Sequence, residues 1–219
     1  MKKIIIAVTA IIAMASCKKE NTLSSLTPAP TAGKSIRKNT YLYNNGTPYT
    51  INYTYDAQGR ISEIKEDDWW YTFNFVSASS LIITIRKTAD NSLDGTRECS
   101  LNGKGYVTNI VLKNASGTIT GNTVYTYNAD GYVVSNKWAS ALSSTGYEFK
   151  YTIADGNMVK AENFYNGTFA NNYQYSYEGN KINKSNFSYS AGWAVQNLLG
   201  KNSKNLVTAA KGFDPAGNL

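Results

Sequence analysis

Tyr53-Thr-Tyr-Asp-Ala-Gln-Gly-Arg-Ile-Ser-Glu-Ile64 decides the fold of this chain, because it reads as one complete β-hairpin. Ile51, Tyr53 and Tyr55 alternate with Asn52 and Thr54, and an apolar–polar period of two marks a half-buried strand. Asp56 to Gly59 then turns the chain. Asp starts a turn through its own side-chain hydrogen bonds, and Gly supplies a positive φ near the end. Arg60 to Ile64 runs back.

The unit recurs down the chain. Tyr125-Thr-Tyr-Asn-Ala-Asp-Gly131 is a close copy; Cys99–Gly105, Phe149–Gly156 and Tyr175–Gly179, the last with a shorter turn, are looser ones. Their glycines and Gly59 stand 46, 26, 25 and 23 residues apart. The wide first interval predicts a degenerate hairpin, with strands Tyr71–Phe75 and Leu81–Ile85 around a turn that lacks Gly. Residues 41–55, turning at Asn44-Asn-Gly-Thr47, supply a lead-in strand.

Hairpins in succession lie side by side, so the expected fold is all-β (minor α): an antiparallel meander of repeated β-hairpins forming a curved sheet. One face is aromatic: Tyr147, Phe149 and Tyr151; Tyr173, Tyr175 and Tyr177; Phe187 and Tyr189. That face needs a cover. Ala191, Ala194, Val195, Leu198 and Leu199 fall at helical spacing before Gly200, predicting one short C-terminal helix near 191–199 packing on the sheet. A further strand is expected from Val207 to Lys211.

Composition narrows the function. The 219 residues include seventeen Tyr and four Trp but no His. That removes imidazole bases, Ser-His-Asp and Cys-His nucleophiles and every His-dependent metal site. The formal charge of +7 falls to +5 if Lys2 and Lys3 leave with a leader, and the remaining cations are scattered. Scatter indicates a solvated surface, and nucleic acid is not an expected partner.

Lys2-Lys3 and the apolar run Ile4–Met14 form an export signal too short to span a bilayer. It ends in Met14-Ala-Ser-Cys17, which resembles a bacterial lipobox. The resemblance implies cleavage before Cys17, lipidation of its thiol and an anchor in the cell envelope, at the outer membrane. Each buried CH₂ of the acyl chains contributes about 0.8 kcal/mol. The expected organisation is a signal peptide over 1–16, a lipidated Cys and disordered tether over 17–34, and a β-sheet domain over 35–219. Only Cys99 then remains, at a position matching Tyr53, and it reads as a small buried apolar residue.

Tyr55-Asp-Ala-Gln-Gly-Arg-Ile61 resembles the YD repeat, whose motif is Y-D-x-x-G-R-[IL] followed by a strand. With a lipobox in front, the chain resembles the YD-repeat (RHS-like) β-sheet lipoproteins of the Bacteroidota, a domain family of unknown function. Ser203-Lys-Asn-Leu206 is similar to a segment that follows the family's helix. Such repeats also build the shells of RHS toxins, but this chain is too short to enclose a cargo. Phe213-Asp-Pro-Ala-Gly-Asn-Leu219 is another copy of the motif, so the expectation is a sheet truncated by at least one strand of about five residues.

Glu66-Asp-Asp-Trp-Trp70 is the most distinctive local cluster. Asp67, Asp68, Trp69 and Trp70 are the candidate ligand-binding residues, with aromatic and carboxylate groups suited to a sugar. The alternative is a polar turn between two strands. The carboxylate spacing is not that of an EF-hand, and no metal, cofactor or catalytic residue is expected. Asp56, Asn128 and Asp214 recur at one turn position, which makes them structural devices. No unique carboxylate pair remains for glycoside hydrolysis. The sequence therefore points to a non-catalytic cell-envelope lipoprotein with a binding or structural role. The alternative is a glycan-binding accessory lipoprotein of a polysaccharide-uptake system. Its partners would be the membrane, through the lipid on Cys17, and a glycan or an envelope protein.

Overall fold

The computed structural model describes residues 38–42, 48–182 and 198–218. Cys17, the leader, the tether and the turn at 44–47 lie outside these residues. So do Phe187, Tyr189 and the helix expected at 191–199, apart from its last two positions, Leu198 and Leu199.

Among the described residues thirteen strands follow one another in the order of the sequence and form a single antiparallel sheet. They are β1 (Lys38–Leu42), β2 (Pro48–Tyr55), β3 (Ile61–Lys65), β4 (Trp69–Ser77), β5 (Ser80–Lys87) and β6 (Leu93–Leu101). Then come β7 (Val107–Asn114), β8 (Ile119–Tyr127), β9 (Val133–Ser140) and β10 (Gly146–Ala154). β11 (Asn157–Tyr165), β12 (Thr168–Ile182) and β13 (Asn205–Phe213) complete it. The meander, the Gly-less β4–β5 hairpin and the last strand all stand as the periodicity indicated.

Burial is one-sided, as period-two strands require. In β5, Leu81, Ile83 and Ile85 are buried while Ile82, Thr84 and Arg86 are only half-buried. Register places Ile83 between Phe73 of β4 and Arg97 of β6, and Leu81 between Phe75 and Cys99. Tyr71, Ile110, Tyr125, Tyr151 and Ala161 carry this inner face across the sheet. The outer face holds ion pairs instead, Lys113–Glu98 at 2.6 Å and Lys160–Glu162 at 2.8 Å. Being partly exposed, such pairs contribute little each; their effect is to keep that face wet.

The repeated motif is a turn with a fixed hydrogen-bond set. Among the described residues it occurs five times, starting at Asp56, Asn102, Asn114, Asn128 and Asp214. In each, the first residue's N–H donates to the carbonyl four residues on, and the N–H of the Gly at the fourth position donates back. These glycines have φ between 76° and 91°. At Asn102 the side-chain Oδ1 accepts from Lys104 N–H and Tyr106 N–H, both at 3.0 Å. The Asn114-Ala-Ser-Gly117 copy has the same spacing, although the sequence reading did not single it out. Arg60 closes the first turn through Asp56 Oδ2 at 2.6 Å, with its guanidinium 4.1 Å from the centre of the Phe75 ring.

In four of these hairpins one extra residue sits on the return strand: Ser62, Thr108, Thr120 and Val134. The hydroxyls of Thr108 and Thr120 donate to the carbonyls of Ser100 and Leu112, meeting acceptors that a bulge leaves short of a partner. Bulges raise local twist, so the motif that turns the chain also bends the sheet. Replacing Asn102 by Ala should cost about 1–2 kcal/mol, because two turn N–H groups lose their acceptor. Asn102→Asp, which keeps the oxygen, should cost less; urea denaturation of the two variants checks this.

Two other copies differ from the sequence reading. Asp155 and Gly156 form a two-residue loop with φ of 49° and 77°, the type I′ pattern, repeated by Asn166-Gly167. Gly179 makes no turn and lies inside β12. There Glu178 pairs with Leu206 and Ile182 with Asn205, so residues 179–181 bulge out, and Asn205 Nδ2 donates to the carbonyls of Gly179 and Lys181. A side chain 26 residues away absorbs the irregularity that resembled a turn.

Residues 198–204 cross the turn ends of the β8–β9 and β10–β11 hairpins. Lys201 N–H donates to Gly131 O and Lys204 N–H to Gly156 O, while Ser203 Oγ accepts from Met158 N–H. Leu199 is buried among them. Gly200, at φ 78°, is the residue that lets the backbone pass this close to Gly131 and the Tyr127 ring.

Candidate functional site

Residues 66–70 do not converge. Glu66 is buried, whereas Asp67 and Asp68 are exposed. The loop is tied down by its backbone: Glu66 N–H donates to Trp69 O, and Thr88 donates through Oγ1 to Glu66 O and through N–H to Asp68 O. Trp69 packs against the core, and Trp70 lies on the opposite face with the Lys65 ammonium 5.7 Å from its ring centre. Both tryptophans are half-buried. Among the described residues no three His, Cys, Asp or Glu gather where they could hold a metal ion.

Rings converge elsewhere on the inner face, two of them exposed. Tyr147 of β10 has Trp138 of β9 and Tyr165 of β11 as its register partners. The Trp138–Tyr147 and Tyr147–Tyr165 ring centres are 5.7 and 5.1 Å apart, with planes inclined at 36° and 48°. Tyr147 and Tyr165 are 42% and 44% exposed, far above the buried tyrosines of the core. Gly121 of β8 leaves Trp138 its bed, since a Cβ there would meet Trp138 Nε1 at 3.2 Å.

The next row inward is amide-rich: Asn136, Phe149, Asn163 and Asn171 are successive register partners. Oδ1 of Asn163 and of Asn171 is buried and accepts no hydrogen bond, an arrangement that costs stability when left unmet. The result is a row of three tilted rings beside a row of amides. Rings present apolar faces for stacking, and amides orient a polar ligand. Sequence reading assigned Tyr147 to the core layer and did not single out Trp138 or Tyr165. Their adjacency depends on the β9–β10–β11 register, which no local pattern states.

Nucleophiles are poorly served. Cys99 is buried as its position suggested, and burial pushes its thiol up to about 12 despite the nearby Arg97 charge. A thiol so far from its thiolate is inert at neutral pH.

Known structures share this architecture. A porin-like protein from Bacteroides uniformis superposes with a TM-score of 0.59 at 14% identity, over 83% of this chain and 84% of that one. A porin-like protein from Bacteroides vulgatus gives 0.57 at 15% identity, over 83% and 82%. The Photorhabdus luminescens Tc holotoxin pore matches over 66% of this chain and 9% of its own, with a TM-score of 0.38, too low to equate the folds. No family model and no curated protein matches the chain. At these identities the likeness is one of fold: a long antiparallel meander.

Proposed function

We propose that this chain is a non-catalytic cell-envelope lipoprotein, held to the membrane through Cys17, whose curved sheet binds a glycan. The Trp138–Tyr147–Tyr165 row, with its two exposed tyrosines and half-buried tryptophan, carries the reading. Three rings in one register row, two of them over two-fifths exposed, form a surface for sugar rings, and their mutual tilt suits a chain whose rings turn. The envelope placement is supported by the lipobox-like Met14-Ala-Ser-Cys17 and by the shared fold with porin-like proteins of Bacteroides. Membership of the YD-repeat lipoproteins is supported by the five Asx–Gly turns. The absence of His and the inert Cys99 favour binding over catalysis.

Titrating the protein with a panel of neutral oligosaccharides while following Trp fluorescence tests this. At least one glycan should change the emission, and Trp138→Ala or Tyr147→Ala should weaken its binding by about ten-fold or more. Trp70→Ala should bind as wild type. Silence across the panel, or loss confined to Trp70→Ala, would remove the row from the account.

A further inference from the structure

Beside the tilted rings of Trp138, Tyr147 and Tyr165 runs a second row whose polarity the protein leaves unanswered. Among the described residues, the buried side-chain polar atoms without a hydrogen-bond partner are Oδ1 of Asn163, Asn171 and Asn172. Asn172 belongs to the outer face, between Glu162 and Phe213. Asn163 and Asn171 are direct register partners on the inner face, with Phe149 on the other side of Asn163. Directly opposed residues bring their Cβ atoms to about 5 Å, so the two amides act at one place.

An asparagine amide has an acceptor oxygen and an N–H donor group, and a buried acceptor left unmet costs stability. Elsewhere the sheet satisfies its amides. Asn157 Nδ2 donates to Asn205 Oδ1 at 3.0 Å, and Asn205 N–H donates to Asn157 Oδ1 at 2.8 Å. Asn163 and Asn171 make no such bond among the described residues, both side chains are only half-buried, and their nitrogens are not shut in with the oxygens. Half a turn about χ2 exchanges the two ends of an amide, so each can offer a ligand a donor or an acceptor. Such a pair suits a group that itself carries one N–H and one C=O.

We propose that the sugar held on the Trp138–Tyr147–Tyr165 row carries an acetamido group, which lies along the Phe149–Asn163–Asn171 row. This rests on the glycan reading and names the class of sugar within it. Phe149 follows Tyr147 by two residues on β10 and Asn163 precedes Tyr165 by two on β11, which sets the rows about 7 Å apart. A ring hydroxyl on a sugar stacked over the tyrosines falls short of that distance, whereas an acetamido group is longer by an acetyl unit. Its N–H donates to one asparagine oxygen, its carbonyl accepts from the other asparagine's Nδ2, and its methyl packs on the Phe149 ring. A site built to bond such a group discriminates against a ligand lacking it, because its own polar atoms then stay unpaired.

Calorimetric titration of the full chain with triacetylchitotriose and with cellotriose tests this, since the two share one backbone and differ in acetamido against hydroxyl. Triacetylchitotriose should bind about ten-fold or more tightly than cellotriose. Asn163→Leu removes both polar atoms at similar volume and should bring the ratio of the two affinities close to one. Asn171→Leu asks the same question if Asn163→Leu folds poorly. Trp138→Ala should weaken both sugars together, which separates the stacking rings from the amides. Equal affinity of the wild type for the two sugars, or a preference that persists in both leucine variants, would overturn the acetamido assignment and leave the aromatic row standing. Binding of neither sugar would overturn it as well, and the wider oligosaccharide panel would then decide the aromatic row by itself.

Discussion

Raising the pH from 10 to 12 should unfold this domain. Burial pushes the phenols of Tyr71 and Tyr125 up to about 12 from an ordinary 10, and the thiol of Cys99 up to about 12 from 9. Tyr127 shifts in the same direction, through burial and the neighbouring Tyr125 and Tyr106. Glu66 and Asp94 add to the rise at Tyr71, and Arg97 opposes it. In every case the folded protein holds its proton to a higher pH than the unfolded chain does. Stability is therefore whole below about pH 9 to 10 and is lost as the pH climbs toward the folded-state values. At roughly 1.4 kcal/mol per unit, each two-unit tyrosine shift removes about 3 kcal/mol and the Cys99 shift about 4. Because the Cys99 thiolate itself acts on Tyr125 the three do not add in full, yet together they remove several kcal/mol, a large part of an ordinary domain's stability. Urea melts at stepped pH, with tyrosinate absorbance recorded in parallel, should show the loss and a cooperative release of the buried phenols. Tyr125→Phe and Cys99→Ala should each flatten the pH dependence. Ionisation of every tyrosine near pH 10 with the sheet intact would contradict the burial assigned here.

Ile83→Ala is the second large effect. Its side chain is fully buried at the middle of β5, between Phe73 and Arg97, with Leu81 and Ile85 beside it on the same face. Removing a buried branched side chain from such a site loses its transfer energy and leaves a cavity, together about 2–5 kcal/mol. A sheet held by neighbour-to-neighbour pairing has no second layer among the described residues to collapse into the gap. The loss should lower Tm by about 10 °C. Ile82→Ala, one residue away on the half-buried outer face opposite Asn74 and Glu98, should cost about 1 kcal/mol. Equal effects at the two positions would mean that the inner and outer faces have been assigned wrongly.

The sequence by itself determined the topology. Period-two alternation fixes strands, Asx-x-x-Gly fixes where they turn, and hairpins in series leave little choice but a meander, so each local signal agreed with the next. It also placed Cys99 in the core, because Cys99 occupies the repeat position of Tyr53. Where one residue had to answer another far along the chain, local signals were silent. Gly179 resembled a turn glycine, but Asn205, 26 positions later, holds that backbone as a bulge. The extra residues Ser62, Thr108, Thr120 and Val134 shift the register by one each, and a one-residue shift changes which side chains meet. Register is a property of strand pairs and is invisible within either strand. For that reason Trp138, Tyr147 and Tyr165 became a row, and Asn163 was set beside Asn171, only once the sheet was assembled. The adjacent Trp69 and Trp70, conspicuous in the sequence, were sent to opposite faces by the same alternation that builds the strands.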